Sequence, residues 1–175
     1  PLLPPVKTVT AEPQKFKNLE TSFTQLKDGL CLVRLCPSET ELLNSLPYTD
    51  ESGIYLQSLL VEAGFRENLF TKTYLHSSRI DFLPKDSPEA LQWKENFFKN
   101  LTLTPPRAVL CLGERVSQIL SGREEKIDAL RSLPQTLQGI PFFFNYDPLY
   151  MFKKKTLRSS LVGEFQTILN QCFRF

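Results

Sequence analysis

Glycine is scarce in this chain, with 7 among 175 residues. Neither G-x-G-x-x-G nor a P-loop can be written anywhere along it, which excludes the Gly-rich phosphate cradles. A lone histidine, His76, excludes any mechanism or metal site that needs two imidazoles. No apolar run approaches the roughly 18 residues of a membrane span. A net charge of +2 marks neither a polybasic tail nor a highly charged disordered chain. The cysteines at 31, 36, 111 and 172 never form C-x-x-C. They read as reduced core thiols, because free cysteine is among the most buried residue types. No metal and no cofactor is expected, and the chain reads as an intracellular, cytoplasmic protein without a membrane partner.

What is present is one domain's worth of patterned chain. Residues 1–13 hold four prolines and read as an extended arm or linker, which leaves 14–175 as a single domain. Phe16, Leu19, Phe23 and Leu26 predict a helix over 14–27. Leu30 to Leu35 is a short apolar run bounded by Gly29 and Pro37, the pattern of a buried strand. Residues 37–50 read as a polar loop. Leu56, Leu60 and Ala63 predict a helix over 52–63, stopped by Gly64. A strand follows at 69–75.

Ser87-Pro88-Glu89 is a helix start, with a capping hydroxyl, a proline and then an acid in the first turn. The helix runs to about Leu101. Ala108 to Leu112 is a second buried strand, Glu114 to Leu120 a short helix, and 126–133 another turn or two. Ile140 to Tyr146 is the last strand. Leu157, Leu161, Phe165, Ile168 and Cys172 predict a closing amphipathic helix. Phe173 and Phe175 then either pack back on the domain or form a docking tail.

Strands alternating with helices, and strands apolar on both faces, imply a three-layer α/β/α domain. The expected centre is a mostly parallel four-stranded sheet. Ligands of such sheets sit outside the carboxyl ends of the strands.

The order of segments resembles the bacterial and archaeal type of uracil-DNA glycosylase. Val33-Arg34-Leu35-Cys36-Pro37-Ser38 is similar to that family's first strand and its Gly-Glu-Ala-Pro-Gly exit. Pro47-Tyr48 and Ala63-Gly64-Phe65 fall at the spacing of its Pro-Phe and Ala-Gly-Leu. Leu69-Phe70-Thr71-Lys72 resembles its second strand, Pro106 to Gly113 its third, and Tyr146-Asp147-Pro148-Leu149-Tyr150 its Tyr-His-Pro-Ser-Tyr. The match spans roughly 30–172.

The resemblance implies a base pocket built from Leu35, Pro37, Tyr48 and Lys72, with Asp147 beside it. The catalytic residues depart from the pattern. The family's glutamate falls on Leu35, which cannot orient water. Its base-reading asparagine falls on Lys72, and its histidine on Asp147, whose charge opposes a developing uracil anion. The stacking aromatic survives as Tyr48. The family's iron–sulfur cysteines have no counterpart.

One basic cluster stands out. Lys153, Lys154, Lys155 and Arg158 follow the last strand, four bases against the single acid Asp147 from 147 to 158. Such a cluster suits phosphate contact, although a run of charge is more often a solvated face. The main expectation is therefore a catalytically degenerate glycosylase-like domain, associated with DNA or with replication or repair proteins. The alternative is an active divergent glycosylase, or a nucleoside or nucleobase hydrolase, with Asp147 as the acid and Tyr48 stacking the base.

Overall fold

The computed structural model describes residues 28–80, 84 and 86–174. The arm expected over 1–13 and the helix expected over 14–27 lie outside the described residues, as does Phe175.

The two apolar runs form the centre of a sheet. Strands β1 (Leu30–Arg34), β2 (Phe70–Tyr74), β3 (Ala108–Leu112) and β5 (Ile140–Asn145) are parallel, in the order β2-β1-β3-β5. A fifth strand, β4 (Gln135–Leu137), pairs antiparallel with β5 at the edge. It extends the four-stranded sheet expected from the sequence. Gln138 and Gly139 join the two strands, with φ of 51° and 78°. Such paired positive φ values match the twist of a two-residue hairpin.

Side chains alternate across the sheet, as a strand's two-residue period requires. Leu30, Leu32, Leu110 and Leu112 face α2 (Glu51–Ala63) and α7 (Arg158–Cys172), against Leu56, Leu60, Leu161 and Phe165. Cys31, Val33, Val109, Cys111 and Phe142 face the other way. They pack on α3 (Pro88–Leu103) and α4 (Glu114–Ser121), through Ala90, Phe97, Leu101, Val116 and Leu120. Fully burying one such leucine or valine contributes about 1.5–3 kcal/mol. The result is a three-layer α/β/α domain. Among the described residues no helix is long and apolar enough to cross a membrane.

Three shorter helices sit at or near the carboxyl edge of the sheet. Helix α1 (Glu39–Asn44) lies within the segment expected to be loop. Ser38 caps it by accepting the Glu41 N–H, and the Glu41 carboxylate takes the Ser38 N–H in return. Helix α5 (Ile127–Leu130) precedes β4. Helix α6 (Pro148–Lys153) follows β5 with Asp147 as its cap.

Phe173 folds back against Phe65, with ring centroids 5.3 Å apart. His76 stacks on Trp93 at 4.1 Å, and its Nδ1 shares a hydrogen bond with Ser78. All four cysteines are free, with Cys31 and Cys111 buried.

Candidate functional site

Strand β1 connects to β2 on one side, and the chain then crosses to β3 on the other. The carboxyl ends of β1 and β3 therefore flank a topological switch point, where open α/β sheets place their ligand crevice. A cleft of about 870 Å³ opens there, lined by Arg34, Pro37, Asp50, Asp147, Leu149 and Phe152 among others. Gly113, just past β3, has φ of 124°, a backbone that side chains rarely adopt. Asp147 comes close above it: a Cβ at Gly113 would lie 3.7 Å from the Asp147 side chain.

The floor of the cleft is an ion cluster. Arg34 closes an otherwise apolar strand, and its side chain is only 7% exposed. A buried charge is retained only when paired and hydrogen-bonded. Here Arg34 Nη1 donates to Glu41 Oε1 at 2.8 Å and to Asp50 Oδ1 at 3.3 Å. Nη2 approaches Asp147 Oδ1 at 4.0 Å. Burial opposes the guanidinium charge, but Glu41, Asp147 and Asp50 outweigh it and hold Arg34 above its ordinary pKa. Burial pushes the Glu41 carboxyl up, against the pull of Arg34 and two backbone N–H groups. At Asp50 burial is the losing effect: Arg34, the Gly53 N–H and neighbouring hydroxyls bring its carboxyl below the usual value.

Of the residues expected to build a base pocket, only Pro37 lines this cleft together with Asp147. Tyr48 is 0% exposed. Its hydroxyl donates to the Thr73 carbonyl at 2.9 Å, and its ring packs 5.4 Å from Tyr74. No face of that ring is open to a stacking base. Leu35 turns to the opposite layer, with Trp93 and Phe98. Lys72 sits in the middle of β2, in register with Leu32, rather than at its end. Burial lowers its pKa, partly countered by Glu67. No contact brings it to Asp147. Asp147 itself caps α6, its Oδ1 accepting the Leu149 N–H at 2.8 Å. Its side chain is 46% exposed.

Sequence reasoning missed Glu41 and Asp50 as site residues, and placed Arg34 only within the exit of the first strand. A signal was present. A lone arginine at the end of a buried strand requires carboxylates, and Glu41 and Asp50 in the segment after the strand supply them.

The basic cluster is organised on aromatic rings. Lys153, Lys154 and Lys155 are exposed at the end of α6 and in the turn that follows. Lys154 Nζ lies 5.1 Å from the Tyr150 centroid, and Lys155 Nζ lies 4.7 Å from that of Phe152. Arg158 sits 5.8 Å from the Tyr55 ring and pairs with Glu62. Tyr55 in turn meets Phe152 edge-on at 5.8 Å. Contact with the Tyr150 hydroxyl holds the Lys154 ammonium above its usual pKa.

No protein-family model matches the chain, and no curated protein matches it.

Proposed function

We propose that this protein is a catalytically silent nucleic-acid-associated module, which contacts phosphates through α6 and the turn after it. The observation that carries the reading is the seating of Lys154 and Lys155 on aromatic rings, beside a free Lys153 tip. Ammonium groups that remain exposed while their stems are ordered can neutralise phosphates and release counterions. Aromatic rings interleaved with them add sequence-tolerant affinity.

The silent part of the reading rests on the cleft floor. Arg34 is occupied by Glu41 and Asp50, and the ring expected to stack a base is core. A domain of this kind suits an accessory role in replication or repair.

Fluorescence anisotropy with labelled oligonucleotides tests the association. Binding is expected, and changing Lys153, Lys154 and Lys155 together to Ala is expected to weaken it for every sequence alike. Absence of binding overturns the reading.

One observation favours a second reading. Asp147 lines the cleft with a half-open carboxylate, the position a water-directing acid would need. Incubation with duplexes carrying uracil, hypoxanthine or alkylated bases separates the two readings. No abasic sites are expected. Turnover that disappears in Asp147→Asn would replace the silent module with a divergent glycosylase.

A further inference from the structure

We propose that the α6 surface takes a single strand of nucleic acid, with one base stacking on Tyr150 while Lys153, Lys154 and Lys155 hold the phosphates. This rests on the nucleic-acid reading above and narrows its ligand.

Tyr150 is 39% exposed, and its neighbour Leu149 is 48% exposed. The two form an exposed apolar pair beside three lysines, with the Lys154 ammonium over the Tyr150 ring. The ring is also held in place from behind. Tyr146 packs on it at 4.6 Å. Arg131 lies 4.2 Å from the Tyr146 centroid and donates to the Tyr146 hydroxyl at 2.7 Å. That hydroxyl donates in turn to Asp128. The other end of the Arg131 guanidinium pairs with Glu164, which also accepts the Asn145 side-chain N–H at 3.1 Å. Tyr150 thus stands on a column of fixed groups rooted in α5, β5 and α7. A ring ordered before binding loses little further freedom when a base stacks on it.

Single strands fit this surface better than duplexes. A duplex keeps its base faces stacked inside and offers only phosphates and groove edges. An unpaired strand offers each base face to a ring while its backbone reaches the neighbouring ammonium groups. The cleft that Leu149 and Phe152 of α6 help to line restricts the path. Asp50, Glu51 and Asp147 line it, and carboxylates repel phosphates. The strand is therefore directed along α6 and the following turn, away from the sheet.

The test titrates a labelled single-stranded oligonucleotide and its duplex with the wild type, Tyr150→Ala and Tyr150→Phe. The single strand is expected to bind more tightly than the duplex. Tyr150→Ala is expected to lose roughly 5- to 150-fold in single-strand affinity, the range of one stacked base. Tyr150→Phe keeps the ring and is expected to retain affinity, which separates stacking from a disturbed fold. Duplex affinity is expected to be unchanged by Tyr150→Phe and to fall less than single-strand affinity in Tyr150→Ala, which also removes the seat of Lys154. If Tyr150→Ala leaves single-strand binding intact, or duplex binds as tightly, the stacking platform is overturned while the nucleic-acid reading stands. If neither form binds, both fall.

Discussion

Arg34 and Glu41 hold each other inside the protein: Nη1 donates to Oε1 at 2.8 Å, and both side chains are almost fully buried. The second oxygen of the same carboxylate accepts the Tyr48 N–H at 2.7 Å. One ion pair thus ties the end of β1 to α1 and to the loop that carries Tyr48. Breaking one side of a buried pair leaves an uncompensated charge, which costs about 3–5 kcal/mol. Arg34→Met is expected to lose stability on that scale in urea denaturation. The double variant Arg34→Met/Glu41→Leu is expected to recover part of the loss. A single variant as stable as the wild type would show that the pair does not hold the loop.

Titration of the cluster follows from the directions of its shifts. The Glu41 carboxyl is raised by burial, so its contribution to stability is full below the unfolded glutamate value. That contribution is lost as pH rises through the folded value. Relative to Glu41→Gln, the wild type is therefore expected to lose stability as pH rises above the unfolded glutamate value of about 4.3. Asp50 is lowered, so its contribution is present above the unfolded aspartate value and lost as pH falls through the folded one. The deficit of Asp50→Asn should shrink in acid. Urea midpoints from below the unfolded aspartate value up to neutral pH check both signs.

Tyr48 separates the core reading from the stacking reading. Removing its hydroxyl leaves the Thr73 carbonyl without that donor in a buried setting, at a cost of about 1–3 kcal/mol. Tyr48→Phe is expected to melt earlier than the wild type while binding oligonucleotides with unchanged affinity. A loss of affinity without a loss of stability would return Tyr48 to the binding surface.

Gly53 is required by a close approach. A Cβ there would lie 2.7 Å from the Tyr48 carbonyl oxygen and 2.7 Å from Asp50 Oδ1. The firmer constraint is backbone, which cannot swing aside. Gly53→Ala is expected to destabilise by about 1–3 kcal/mol, the usual cost of overpacking. Thermal melting checks it, with a neutral result pointing to a loop softer than its contacts imply.

The fold was legible wherever burial writes a pattern into the sequence. Leu30 to Val33 and Ala108 to Leu112 are apolar on both faces because helices cover both, and they read as central strands. Ser87-Pro88-Glu89 announced α3 through its cap. At Asp147-Pro148 a cap and a first-turn proline open α6 in the same way. Ser38 and Glu41 likewise carried the capping box of α1 in plain spacing. Strand β4 has only three residues, Gln135–Leu137, and none is buried. Its order comes from the β5 ladder, so no local pattern marks it.

The site was less legible for a different reason. The partners of Arg34 lie 7 and 16 residues away, and a third, Asp147, comes from the far end of the chain. Only the parallel sheet brings Asp147 to the others. The carboxyl ends of the strands pointed to this edge of the sheet. Side-chain direction then decided which residues face the cleft, and Leu35, Tyr48 and Lys72 face elsewhere. The basic run was visible as charge, but its seating on Tyr150 and Phe152 required the turn after α6.

The slope of log binding constant against log salt concentration tests the central claim most directly. It is measured between about 50 and 200 mM salt for the wild type and the triple Lys153→Ala/Lys154→Ala/Lys155→Ala variant. Each phosphate contact contributes about 0.7 to 0.9 units of slope. The variant is expected to lose about two to three units with weaker binding at every salt concentration. An unchanged slope would contradict phosphate contact at α6 and with it the proposed function.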